Sequence, residues 1–164
     1  RLEDLPKFRL HGFFSAYAEG WALYSEMLGK EIGFYKDPVS DYGRLSSEML
    51  RAVRLVVDTG IHDKNWSRQQ VIDYMHANDV NDALAQTEAD RYIAWPGQAL
   101  AYKMGQLTIL KLRDEAKEQL GEKFDLKAFH DEILNGGSMP LDLLQERVEA
   151  WIKNQAAQNQ KAKT

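Results

Sequence analysis

The apolar positions of this chain recur at helical spacing almost from end to end. Between about Gly12 and Ile32, Phe14, Tyr17, Trp21 and Tyr24 return every three or four residues and predict the packed face of a long helix, loosening near Gly29. Leu45, Met49, Leu50, Val53, Val56 and Val57 form a second stripe. It predicts a helix capped by Ser40 or Asp41, running to about Thr59 and stopped by Gly60, after a loop that contains Lys36-Asp37-Pro38. Ser67-x-x-Gln70 is a capping box ahead of a short amphipathic helix within Asn65 to Asn78. A further helix is expected from about Asn81 to Ile93, with an acidic start. Trp95-Pro96-Gly97 then breaks the chain, because proline disfavours the α conformation before it and glycine frees the backbone after it. Gln98 to Leu120 reads as another long helix, Asp125 to Leu134 as a short one. Leu141, Leu144, Val148, Trp151 and Ile152 give the last helix its apolar face, entered through Ser138-Met139-Pro140.

The fold class expected from this pattern is all-α: a multi-helix bundle of about six or seven helices, three of them long, with no strand. One domain is expected over residues 1–152, followed by a polar tail over residues 153–164 that frays. At 164 residues and 44% hydrophobic content the chain can bury a core without staples. With 21 basic and 25 acidic residues it lacks the basic excess of a nucleic-acid binder. No apolar run is long enough to span a membrane, and the absence of cysteine excludes disulfides and thiolate metal sites. Neither periplasm nor cytoplasm is favoured as the compartment.

Three stretches carry candidate chemistry. In FFSAYAEGWALYSE, Glu19 shares its helical face with Gly12, Ser15, Ala16, Ala22 and Leu23, so a buried carboxylate is expected. Such a group neutralises, pairs with a base or binds a metal. The structural alternative is an ion pair with Arg51 or Arg54, and Glu26, seven residues on, reads as an exposed glutamate. In the second stretch Arg54, Asp58 and His62 are spaced by four. A continuing helix places them on one face, where Asp58 would orient His62 by accepting its ring N–H. The alternative leaves His62 stabilising the last carbonyls of its helix. The third stretch sets Arg91 and Tyr92 beside the Trp95-Pro96-Gly97 break and Tyr102 just after it. Gly105 within a helix costs about 1 kcal/mol relative to alanine, which a close helix contact would explain. Ion pairing of Arg91 with Glu88 or Asp90, and a core role for Tyr102, are the plain readings.

The strings AYAEGWALYSE, DTGIH at Asp58 to His62 and RYIAWPGQALAYKMG at Arg91 to Gly105 together resemble the C-terminal part of the bacterial "domain of unknown function 885" family. The likeness runs from about Leu2 to Trp151. Members of that family look like zinc metallopeptidases of the gluzincin type, in which an upstream HExxH helix supplies two histidine ligands and a general-base glutamate. The resemblance implies that Glu19 is the third zinc ligand. It further implies that His62 lines the substrate cleft and binds a carbonyl or oxyanion, that Tyr102 donates to the tetrahedral oxyanion, and that Arg91 and Tyr92 bind substrate, with Asp58 behind His62.

The chain departs from that pattern because it contains no HExxH: its histidines are His11, His62, His76 and His130, no two of them four apart. A C-terminal piece of a larger zinc-dependent peptidase or carboxypeptidase-like hydrolase is therefore expected, inactive and zinc-free by itself. Its partners would be a peptide substrate and the missing N-terminal half, and its uncovered inner face could self-associate. Two other readings remain: a non-catalytic helical scaffold or interaction domain, and a metal-independent hydrolase using Glu19 and Asp58 as an acid/base pair.

Overall fold

A computed structural model of the protein describes residues 5–161. Among these the fold is all-helical: a five-residue opening helix α1 (Lys7–His11) and seven longer ones, α2 (Ser15–Glu31), α3 (Pro38–Lys64), α4 (Arg68–His76), α5 (Asp82–Ala94), α6 (Ala101–Leu120), α7 (Leu126–Leu134) and α8 (Leu141–Lys161). They group into two compact units. A terminal unit holds the chain up to Trp21 and from Gly105 onward, and a middle unit holds Ala22–Met104.

In the terminal unit the apolar stripes of α6, α7 and α8 meet as their spacing requires: Ile109, Leu112, Ala116, Phe129, Ile133, Leu144 and Val148 are fully buried. The first turns of α2 lie directly on α6. A methyl group added to Gly105 would sit 1.9 Å from the Ala16 carbonyl oxygen and 2.6 Å from the Gly20 Cα, so both glycines are there to let two backbones touch. The close contact expected of Gly105 is thus present, with Gly20 as its unforeseen counterpart. The Tyr17 hydroxyl donates to the Ile133 carbonyl at 2.9 Å, and burial raises its pKa despite the nearby charge of Arg147. Phe14, expected on the packed face, is instead 41% exposed. It precedes the first residue of α2, and its N–H donates to Ser138 Oγ. Helix α8 continues past Ile152 to Lys161, beyond the expected start of fraying.

The middle unit closes around Val53, Val57, Val71, Ile72, Met75, Ala85, Ala89, Tyr92 and Ala99. Two boundaries differ from expectation. Asp37, rather than Ser40 or Asp41, caps α3 by accepting from the Ser40 N–H, with Pro38 in the first helical position. At the other end α3 does not stop at Gly60; it runs to Lys64 and ends at Asn65 in the left-handed region, φ 55°. Gly60 is a packing glycine, since a methyl group there would lie 2.6 Å from the Trp66 ring. The α4 capping box forms as its sequence predicts, with reciprocal bonds between Ser67 and Gln70. The stripe of α3 is buried only toward its C-terminal half. Leu45, Met49 and Val56 are exposed, and Leu45 and Met49 border a groove of about 490 Å³ against Val80 and Leu84.

Candidate functional site

Helix α3 carries Arg51, Arg54, Asp58 and His62 at near-regular intervals along one line, and its continuation through Gly60 is what keeps His62 in register with the others. The same unit contains α5 with Glu88, Arg91 and Tyr92, and the start of α6 with Tyr102. The second and third sequence motifs are therefore built into one cluster.

At its centre is a buried carboxylate. Glu88 accepts from Arg54 Nη2 at 2.8 Å, from Arg91 Nη2 at 2.9 Å and Nε at 3.1 Å, and from the Tyr92 hydroxyl. Burial alone would raise the Glu88 pKa. The bonds from Arg91 and Tyr92 and the charge of Arg54 outweigh it and bring the group down to about 2. Tyr92 is fully buried, and its oxygen also accepts from Arg54 Nε at 2.8 Å, so its phenol belongs to this network. Burial and the adjacent Glu88 raise its pKa. The ion pair with Glu88 foreseen as the plain reading of Arg91 forms, and Arg91 Nη1 donates as well to Gln98 Oε1 at 2.5 Å; Asp90 is taken by Arg68. Arg91 nevertheless remains half-buried.

Asp58 is buried, and both its oxygens accept the Gly97 N–H, at 3.2 and 3.1 Å. Gly97 has φ 78°, a conformation that favours glycine, so Asp58 holds the turn that redirects the chain from α5 into α6. Burial raises the Asp58 pKa, opposed by the Gly97 bond and the charges of His62 and Arg91. The expected Asp58–His62 hydrogen bond is replaced: His62 Nε2 donates instead to the Tyr92 carbonyl at 2.9 Å, because a carbonyl can only accept. In the neutral ring that leaves Nδ1 as the acceptor, on a side chain that is otherwise exposed.

Tyr102 is half-buried. Its ring lies 4.8 Å from the Arg54 guanidinium carbon and 5.8 Å from that of Arg51. Among the described residues its hydroxyl has no hydrogen-bond partner. Arg51 gives Nη1 to the Ser47 carbonyl at 2.8 Å and to Ser47 Oγ, while its Nη2 stands 4.0 Å from Glu26 Oε1. Glu26 is half-buried, where an exposed residue was expected.

Glu19 lies in the terminal unit on α2. It is half-buried, not enclosed as its small neighbours suggested; Ser15 and Ala16 on the same face are half-buried as well. Among the described residues it has no hydrogen-bond or ion-pair partner. Arg54 is committed to Glu88, and Arg51 faces Glu26. The described residues contain no group of three or more His, Cys, Asp or Glu side chains placed to hold a metal ion. No helix among them is long and apolar enough to cross a membrane. The features sequence reasoning missed are the Glu88 centre and the Arg51 edge. Glu88 sits four residues before Tyr92 and three before Arg91, a spacing that brings all three together on a helix.

An all-α chain with this knitted arginine, tyrosine and carboxylate cluster has known relatives. The chain belongs to the family described as "Bacterial protein of unknown function (DUF885)", whose match covers residues 1–148. It is similar to the crystal structure of a "putative lipoprotein" from Colwellia psychrerythraea at 50% identity and a TM-score of 0.89, over 93% of this chain and 26% of that one. It is also similar to a "putative lipoprotein of unknown function" from Shewanella oneidensis at 29% identity and a TM-score of 0.74, over 80% of this chain and 24% of that one. The chain thus spans about a quarter of the length of these relatives. No curated protein matches it.

Proposed function

We propose that this chain supplies part of the substrate cleft, and one metal ligand, of a zinc-dependent peptidase or carboxypeptidase-like hydrolase whose remaining residues lie in the larger fold shared with its relatives. The observation that carries the reading is the Tyr102 hydroxyl. It is the donor of a half-buried side chain, without a partner among the described residues, beside two arginine guanidinium groups, where a donor can meet the negative oxygen that forms during acyl transfer.

The other residues take supporting roles. His62, oriented through the Tyr92 carbonyl, presents Nδ1 as an acceptor for a substrate N–H. Arg91 offers its remaining edge to a substrate carbonyl or carboxylate, held in place by Glu88 and Gln98. Tyr92 acts from within, fixing Arg54 and Glu88. Asp58 acts on the Trp95-Pro96-Gly97 turn and so on where Tyr102 begins its helix. Glu19, a half-buried carboxylate with no partner among the described residues, is the candidate zinc ligand. A bound zinc would supply an activated water and a Lewis acid.

The test uses a longer family member that contains this region. Replacing the residue at the Glu19 position by Gln is expected to remove zinc and peptide hydrolysis together, whereas Gln at the Glu26 position spares zinc. Equal zinc retention in the two variants, read by elemental analysis, would sink the ligand assignment. Zinc-free protein with no hydrolysis in the parent would favour a helical scaffold.

A further inference from the structure

Arginine binds a carboxylate best through the paired Nε and Nη2 hydrogens on one edge of its fork. In Arg54 and Arg91 that edge is occupied, since both close on Glu88 through these atoms or share them with Tyr92. Arg51 differs. Its two bonds to Ser47 both come from Nη1, its Nε is buried with no partner, and its Nη2 reaches no acceptor closer than Glu26 Oε1 at 4.0 Å. A buried donor left unmade costs about 1–3 kcal/mol, so this edge is poised for an acceptor. On the ring that Arg51 and Arg54 both approach is a further donor, the Tyr102 hydroxyl, which has no hydrogen-bond partner among the described residues.

We propose that the Nε/Nη2 edge of Arg51 and the hydroxyl of Tyr102 form a subsite for a carboxylate of a bound peptide, with Glu26 as the internal carboxylate that this ligand displaces. The proposal names a substrate class for the cleft described above, and rests on that reading only in calling the ligand a substrate. The charges around it agree. Arg54 and Arg91 share one carboxylate, Glu88, whereas Arg51 has only the 4.0 Å pairing with Glu26. A ligand carboxylate can close onto the fork at hydrogen-bond distance, which Glu26 does not. The carboxylate comes either from a free peptide C-terminus or from an acidic side chain.

Binding to this chain, measured by titration calorimetry, separates the possibilities without requiring hydrolysis or zinc. The probes are N-acetyl-Ala-Ala-Ala with a free C-terminal carboxylate, its C-terminal amide, and N-acetyl-Ala-Glu-Ala amide. The free acid is expected to bind at least about tenfold more tightly than the alanine amide, a loss of one charged hydrogen-bonding pair. Arg51→Gln and Tyr102→Phe should each remove most of that preference, and Glu26→Gln should tighten the acid. Tight binding of the glutamate-containing amide assigns the subsite to an acidic side chain; its failure assigns it to the C-terminus. Equal affinity for all three peptides, or an undiminished preference for the carboxylate-bearing peptide in an Arg51→Gln variant whose circular dichroism and melting match the parent, overturns the proposal. So does an absence of binding by any of the three peptides. None of these outcomes depends on Glu19, so failure of the carboxylate subsite is distinguishable from failure of the zinc hydrolase reading, which the Glu19→Gln experiment decides.

Discussion

Asp58 in the middle of α3 accepts the N–H of Gly97 with both carboxylate oxygens, and so a helix residue fixes the left-handed turn 39 positions further along the chain. Together with the His62–Tyr92 carbonyl bond and the Arg54–Tyr92 phenol bond, it joins α3 to RYIAWPGQALAYKMG at three points.

Asp58 should carry a pH signature of this role. Burial raises its folded-state pKa above the ordinary carboxylate value. Its contribution to stability is therefore fully present below the unfolded pKa and is lost as pH rises through the folded one. Asp58→Asn keeps an oxygen for the Gly97 N–H and never ionises. Its melting temperature is expected to rise relative to the wild type between pH 4 and pH 7, and a difference that stays constant or falls over that range would contradict the assignment. Asp58→Ala, which removes the acceptor, should lower the melting temperature at both pH values.

Glu88 has the opposite sign. Its folded pKa is about 2, against an ordinary value of 4.5. It contributes stability above pH 4.5, of the order of ~3 kcal/mol, which is lost as pH falls toward 2. Glu88→Gln leaves Arg54 buried without its counter-charge and is expected to destabilise by about 3–5 kcal/mol at pH 7. The deficit should shrink on acidification, because the wild type is losing the same interaction. Urea denaturation of both proteins from pH 7 to pH 3 reads this out.

How far the sequence could be read follows from the range of each signal. Helices with a continuous apolar face, a capping box or a proline break were legible because those signals are local. The end of α3 was not. Gly60 looks like a stop signal in isolation, and only the Trp66 ring packed on it shows that the glycine makes room for a side chain. Burial of Leu45 and Met49 failed for a similar reason: a stripe predicts which face is apolar, not whether something in the same unit covers it. At the site, the DTGIH and RYIAWPG motifs were recognisable, and an Arg91 ion pair with Glu88 or Asp90 was foreseen, of which the Glu88 pair forms. The His62 partner did not, because the Tyr92 acceptor is a backbone carbonyl on another helix and leaves no trace in residue type.

The Gly20–Gly105 contact gives a sharp stability test. In Gly105→Ala the new methyl meets backbone atoms, which cannot rotate away, so a destabilisation at or above the usual 1–3 kcal/mol for overpacking is expected. Gly43 is also within a helix, but a methyl group there meets nothing within 4 Å. Gly43→Ala should therefore stabilise by about 0.5–1 kcal/mol through helix propensity alone. Thermal melts of the two variants should move in opposite directions, and a neutral Gly105→Ala would mean that the two helices do not touch as described.

Two tyrosines on neighbouring motifs should separate stability from chemistry. The Tyr92 hydroxyl is buried between Glu88 and Arg54, so Tyr92→Phe removes one donor and one acceptor from a charged network and is expected to cost about 1–3 kcal/mol. The Tyr102 hydroxyl has no partner among the described residues, so Tyr102→Phe should alter stability by less than about 0.5 kcal/mol. The ring, and with it the contact to Arg54 and Arg51, is retained. In a longer, hydrolytically active family member the same substitution should lower kcat by about 100-fold, the usual consequence of losing one donor to a developing oxyanion, with KM changing little. Full activity in Tyr102→Phe would remove the phenol from the mechanism. A large loss of stability in that variant would show that its hydroxyl has a structural partner, and the contrast with Tyr92 would collapse.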